Sequence, residues 1–343
     1  MKRLCIFLIF NLCISLAFGQ EKDTPRKGEG IHAFLKRNNR TEVQQYEEFI
    51  RLNKNKLGKS NALIQGTKYL LPPLATTPPQ KVAASQQKEA AAGKGKTGVQ
   101  PLFGEKYKNY TIKDNLLAGA CFFLVSGHGG PDPGAIAKVN GRELHEDEYA
   151  YDIILRLARC LLEHNATVHI IIQDPNDGIR DDSYLKNSSN ETCMGKPIPL
   201  SQIARLKQET NEINRLSFKS KEKYQRAIFI HLDSRSKNKQ LDVFFYYQNT
   251  KLNKDRSLKL AETMRKTFRN LYDKHQPDRG FSGTVSTRPL YVLKNTTPVS
   301  VFVELANMQN VNDQKRYISA DNRQALANWL CAGFIADYQS SSR

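Results

Sequence analysis

Apolar residues in this chain fall into short β-rich runs separated by stretches of helical period. The runs occupy residues 121–125, 168–172, 227–230, 243–247, 290–293 and 299–303. Between the first two, the stretch 149–162 places Ile153, Ile154, Leu157, Cys160 and Leu161 on one face of a helix. The same period recurs over 203–216, 258–272 and 323–338. Strand runs alternating with amphipathic helices predict an α/β domain over residues 105–340, with a mostly parallel or mixed central sheet and helices on both faces. In such a sheet functional residues gather at the carboxyl ends of strands.

Upstream the pattern changes. Residues 26–74 carry Ile31, Phe34 and Leu35 at helical spacing, then Tyr46, Phe49, Ile50 and Leu52 as a second set. Leu63-Ile64-Gln65-Gly66-Thr67-Lys68-Tyr69-Leu70-Leu71-Pro72-Pro73 follows, a turn and a short strand stopped by prolines. The predicted order is helix, helix, strand. Residues 75–104 read as a flexible basic linker, because Thr, Pro, Gln, Lys, Ala and Gly offer little to a core. Residues 1–19 begin Met-Lys-Arg, run apolar from Leu4 to Phe18 and close on Ala17-Phe18-Gly19, the pattern of a cleavable secretory signal. The apolar run is short for a bilayer span, and nothing later is long and apolar enough to span once the signal is removed.

The formal charge of +18 implies an anionic partner surface. Without the signal's two basic residues it is still about +16. For an exported chain, periplasmic or held at the cell envelope, anionic envelope polymers suit this charge better than nucleic acid, and no RNA or DNA motif is present. Of six cysteines, Cys5 and Cys13 leave with the signal. Cys121, Cys160 and Cys331 sit in apolar patterns and Cys193 in a polar loop; without any CxxC they do not read as a cysteine zinc site, and one disulfide remains open.

Candidate chemistry stands at the ends of the apolar runs. Phe122-Phe123-Leu124-Val125 leads into Ser126-Gly127-His128-Gly129-Gly130, where glycines let the chain turn tightly and leave the imidazole bare. Ile228-Phe229-Ile230 ends in His231, and Val301-Phe302-Val303 ends in Glu304. Glu146 lies just ahead of the helix expected to start near Tyr149. Two imidazoles and a carboxylate make a catalytic zinc set with a fourth position open to water, and a further carboxylate can act as general base. Glu143, His145 and Glu148 compete with Glu146 for the carboxylate role, and spacing alone leaves the reaction open. The other histidines, His32, His164, His169 and His275, read as structural or surface residues.

From about 118 to 338 the chain resembles the catalytic domain of the zinc-dependent N-acetylmuramoyl-L-alanine amidases. The resemblance rests on Gly127-His128-Gly129-Gly130-Pro131-Asp132-Pro133-Gly134-Ala135, on Glu146 followed by Asp152-Ile153, and on Ile228-Phe229-Ile230-His231. It continues through Arg279-Gly280-Phe281 and Pro298-Val299-Ser300-Val301-Phe302-Val303-Glu304-Leu305 with Asn310. It implies zinc on His128, Glu146 and His231, and Glu304 as the catalytic carboxylate. It implies peptidoglycan, both glycan strands and stem peptide, as the substrate and partner, in wall turnover or cell separation, with room for a protein activator; a monomer is expected. The chain departs from the family with Val125-Ser126 in place of aspartate-proline and Leu232-Asp233 in place of alanine-asparagine, which puts a partner of the metal ligands in question. An inactive binding protein of this fold and a different zinc amide hydrolase are the competing readings. The polar stretch 176–198 reads as a surface excursion or a regulatory element.

Residues 26–74 resemble a LysM module, a small fold that binds N-acetylglucosamine-containing glycans. The matching residues are Gly28-Glu29-Gly30-Ile31, Leu52-Asn53 and Ile64-Gln65-Gly66-Thr67, although the aspartate-threonine usual after the glycine is not present.

Overall fold

The computed structural model describes residues 21–27, 29–40, 43–58, 63–74, 95–233 and 239–341. The expected secretory signal, residues 1–19, and residues 75–94 of the expected linker lie outside them. The chain divides into two compact units, Met1–Ala83 and Ala84–Arg343.

The first unit runs β1 (Lys22–Asp23), α1 (Ile31–Arg37), α2 (Val43–Asn53) and β2 (Tyr69–Leu70). The two strands pair antiparallel, with Lys22 opposite Leu70. The opening strand has no apolar signature, so the periodicity began one element late. Phe34, Phe49 and Tyr69 form the core, with Phe34 5.7 Å from Phe49 and 6.1 Å from Tyr69 between ring centres. Buried Asn53 ties helix to strand: its amide oxygen accepts from the Leu70 N–H, and its NH2 donates to the Phe49 and Leu70 carbonyls.

The second unit starts with a hairpin, β3 (Thr97–Val99) and β4 (Asn109–Thr111). Phe103 between them is fully buried, so residues 95–104 belong to this unit rather than to a linker. Then come β5 (Ala120–Ser126), the hairpin β6 (Ile136–Val139) and β7 (Arg142–His145), α3 (Glu146–Glu163), β8 (Thr167–Ile170), β9 (Ile172–Gln173), β10 (Thr192–Cys193) and β11 (Lys196–Pro197). The rest is α4 (Gln202–Lys219), β12 (Tyr224–Asp233), β13 (Phe244–Tyr247), α5 (Lys254–His275), β14 (Thr284–Thr287), α6 (Tyr291–Asn295), β15 (Val299–Asn307), α7 (Val311–Ile318) and α8 (Ala320–Ser341). The central sheet is mixed, in the order β14-β13-β15-β12-β5-β8. β15, β12, β5 and β8 run parallel, and β13 runs against β15.

Strand alternation sorts the side chains onto two faces. Phe122, Leu124, Ile228, Ile230, Val301 and Val303 pack on one side with residues of α3, α5, α7 and α8. Cys121, Phe123, Val125, Ala227, Phe229 and Phe302 pack on the other with Ile213 of α4 and Val292 and Leu293 of α6. The expected strand at 290–293 is therefore a short helix. Its apolar residues meet α4 from outside the sheet, and the strand of this region is the polar edge strand β14. Cys193 is also corrected: it is fully buried in β10 against the second face. Ile179 and Leu185 are buried too, so the 176–198 stretch is packed rather than a surface excursion.

One polar knot lies in the core. Asp152 of α3 is fully buried, 2.7 Å from Arg156 Nε and 2.5 Å from Arg323 Nε of α8. Its other oxygen accepts from the Arg180 N–H at 2.8 Å. Arg323, also fully buried, donates onward to the carbonyls of Tyr317, Ile318, Arg180 and Asp182. Among the described residues no helix is long and apolar enough to cross a membrane.

Candidate metal centre

β5, β12 and β15 all end on the same edge of the sheet because they run parallel. The pairing Gly127 N–H to Ile230 O, at 2.7 Å, carries the β5–β12 ladder up to His128. Across β12 and β15, His231 stands in register with Glu304. By strand parity both point to the face covered by α4 and α6. There they open on a cavity of about 390 Å³ lined by His128, Glu146, His231, Glu304, Arg205 and Glu209 among others. Glu146 is the first residue of α3, not a residue ahead of it. Three consecutive acids, Glu146, Asp147 and Glu148, open that helix, where its dipole favours negative charge.

The carboxylate of Glu146 sits between the two imidazoles. Its Oε1 lies 2.9 Å from His231 Nδ1 and its Oε2 3.3 Å from His128 Nε2. Two backbone amides fix it, Leu232 N–H at 3.0 Å and Ala135 N–H at 2.9 Å. The contact from position 232 uses the main chain, so leucine there serves as well as any residue. His128 has a left-handed backbone, φ +67°, a conformation that costs a non-glycine residue on the order of 1 kcal/mol or more. Its Nδ1 lies 2.9 Å from Asp132 Oδ2, and Asp132 in turn pairs with Arg205 of α4. The His231 ring stacks on Phe302, 4.3 Å between centres.

Electrostatics follow from this packing. Burial would raise Glu146, but hydrogen bonds from the two histidines hold it well below the usual carboxylate range. Burial pushes His128 down, yet its bonds to Asp132 and Glu146 outweigh burial and carry it up to about 10. Burial dominates at His231 and lowers it. Glu209, deep in the same cavity, is raised to about 8 by burial. Donor atoms of His128, Glu146 and His231 lie within 4.8 Å of one another. Two imidazoles and a buried carboxylate, with Asp132 orienting one ring, fit a divalent metal ion.

Glu146, His128, His231 and Glu304 are thus brought to one cavity, and the other carboxylate candidates are not. The Glu143 side chain is 49% exposed and faces Lys138 at 3.2 Å. Glu148 is paired with Arg180 at 2.7 Å, and His145 lies 3.5 Å from Glu143. Asp132 was missed as an orienting group, although its place four residues after His128 in the glycine-rich motif was a usable signal. Arg205 and Glu209 come from α4 and had no local signal at all.

Gly127 admits the second histidine. A Cβ at this position would stand 2.2 Å from His231 Cε1 and 2.4 Å from its Nδ1, and Phe302 blocks the ring's retreat. Gly127→Ala is expected to weaken metal affinity by about 100-fold or more, given that losing even an outer-shell partner costs 10–100-fold. Chelator-competition titration measures it, and unchanged affinity would remove His231 from the ligand set.

The α/β fold and the strand-end donor set define the class of domain. The family described as N-acetylmuramoyl-L-alanine amidase (Amidase_3) matches residues 123–336, and the chain belongs to that family. It is similar to an uncharacterized cell wall amidase of Bacillus anthracis, 26% identical over 234 residues, which cover 66% of this chain and 37% of that protein. The chain thus spans little more than a third of that relative's length. Among solved structures it is similar to the N-acetylmuramoyl-L-alanine amidase AmiC2 of Nostoc punctiforme, with 18% identity, TM-score 0.46, and coverage of 66% of this chain and 99% of that one. It is also similar to the catalytic domain of CwlV from Bacillus (Paenibacillus) polymyxa, with 18% identity, TM-score 0.46, and coverage of 64% and 98%.

Proposed function

We propose that this protein is an exported peptidoglycan hydrolase that cleaves the amide bond between N-acetylmuramic acid and the L-alanine of the stem peptide. The observation that carries the reading is the convergence of His128, Glu146 and His231 on one point beside Glu304, within a chain of the amidase family. His128, Glu146 and His231 would hold zinc. Bound there, zinc supplies Lewis acidity toward water and toward the scissile carbonyl. Glu304 takes the proton of the attacking water and returns it to the leaving amine of L-alanine. Asp132 keeps His128 in one orientation through Nδ1. The backbone amides of Leu232 and Ala135 hold Glu146 in place. Arg205 and Arg288 on the cavity wall suit the carboxylates of a stem peptide. The unit at residues 21–74, with the order β-α-α-β, would deliver the catalytic domain to wall glycan as a LysM-like module, across the basic linker. A protein activator fits the same reading, as does a monomer.

The test uses the full chain, zinc-loaded, on purified peptidoglycan, with the released muropeptides read by mass spectrometry. Free stem peptide and bare glycan are expected, lost on chelation and restored by zinc. Binding without cleavage by the loaded protein would overturn the reading in favour of an inactive binder. Cuts between amino acids of the stem would reassign it as an endopeptidase.

A further inference from the structure

α3 is 18 residues long, about 27 Å from end to end. Glu146 begins it at the cavity; at the opposite end Cys160 and His164 stand one helical turn apart, and Cys331 of α8 packs against them. The donor atoms of Cys160, His164 and Cys331 lie within 4.8 Å of one another, and both cysteines are free thiols. We propose that these three residues form a second metal site, for a thiophilic divalent cation such as zinc, separate from the catalytic centre.

The residue types and their supports point the same way. Residues four apart on a helix share a face, so Cys160 and His164 can grip one ion while Cys331 closes from the neighbouring helix. The Nδ1 of His164 lies 2.9 and 3.0 Å from the two carboxylate oxygens of Asp114. That contact turns Nε2 toward the thiols, and a carboxylate behind a ligating histidine is the usual outer support of such sites. Two sulfurs and an imidazole select zinc-like ions over calcium or magnesium. Cys331 is buried while Cys160 and His164 are partly exposed, so the ion can reach the cluster from the solvent side. The neighbouring Glu163 is not needed, since Lys113 at 2.6 Å and Arg159 at 3.1 Å already engage it.

The three groups polarise one another. The hydrogen bond from Cys331, opposed by burial and aided by His164, brings the Cys160 thiol down to about 6. The bond to Cys160, opposed by burial and aided by Asp114, brings His164 up to about 9. Cys331 is raised by the same contact with Cys160. Binding a divalent ion there leaves a neutral imidazole and two thiolates around it, with the displaced protons released to solvent. By contrast, Cys121 and Cys193 are simple buried thiols, pushed up by burial to about 11 and about 12.

The test reads sulfur directly, to which the catalytic donor set is silent. The full chain, reduced and kept anaerobic, is titrated with Cd²⁺ and with Co²⁺ while the thiolate-to-metal charge-transfer band is followed in the near ultraviolet. The expected result is a band saturating at one equivalent per chain. It persists in His128→Ala, which lacks a donor of the other centre, and in Cys121→Ser and Cys193→Ser. It falls at least tenfold in Cys160→Ser and Cys331→Ser. Absence of the band in wild-type protein whose thiols all react with a thiol reagent would overturn the proposal. So would a Cys160–Cys331 disulfide peptide from the untreated protein, combined with no metal uptake after reduction. Neither outcome depends on the fold of a variant.

Discussion

Glu304→Gln is expected to lower the rate of amide cleavage by about 100- to 10,000-fold, the span that general acid–base catalysis contributes. Zinc stoichiometry and melting temperature should stay at wild-type values. The reasoning is positional. Glu304 belongs to β15, whose nine residues are all buried, and it stands beside His231 in the parallel pairing. Glutamine keeps the shape and the hydrogen-bonding reach, but it cannot accept a proton from water at neutral pH. If it acted only as a structural residue, the amide would preserve activity. A glutamine variant within about tenfold of wild type in kcat would therefore exclude Glu304 as the base. A variant that lost its metal would assign Glu304 to the ligand set instead.

The second large effect concerns stability. Asp152→Asn should destabilise the catalytic unit by about 3–5 kcal/mol, the usual consequence of removing one partner from a buried ion pair. Asp152 is the one carboxylate contacting both Arg156 and Arg323, each within 2.7 Å. Without its charge, two guanidinium groups remain buried near each other. Urea unfolding of the full chain, read by tryptophan fluorescence, reports this directly because the single Trp329 lies on α8. The whole stability of a domain is on the order of 5–15 kcal/mol, so the midpoint should move far enough to be unmistakable. A shift under about 1 kcal/mol would mean that the hydrogen bonds of Arg323 to the carbonyls of Tyr317, Ile318, Arg180 and Asp182, not its ion pair, hold α8 in place.

The strands were legible where both faces are buried. Residues 121–125 and 227–230 form continuous apolar runs, and 299–303 a run broken only by Ser300, because helices cover the sheet on both sides. The same logic failed for 290–293, where Val292 and Leu293 are buried against the sheet face from a helix that lies over it; a run of four does not separate the two cases. β14 was invisible because an edge strand of Thr, Val, Ser and Thr has no buried alternation to display. Within the site, His128, His231 and Glu304 could be located because each follows closely on an apolar run, although β15 continues three residues past Glu304. Glu146 needed the fold, since Glu143, His145 and Glu148 compete with it in the sequence and only the geometry at the start of α3 separates them. The Cys160–His164–Cys331 trio hid for another reason: its members are 171 residues apart at the extremes, and a search for paired cysteines does not see a histidine one turn along a helix.

The pleat parity described for β12 and β15 has an evolutionary corollary. Both strands present their chemical residue on the α4–α6 side only because an even number of steps separates His231 from Phe229 and Glu304 from Phe302. Inserting or deleting one residue inside either strand turns the ladder half a pleat. A histidine or glutamate would then face α3 and α5, and an isoleucine, leucine or valine would enter the cavity. Length variation in this lineage should therefore collect in the connections between strands and skip the strands themselves. A library of single-codon deletions scored for amide cleavage would map that frame residue by residue.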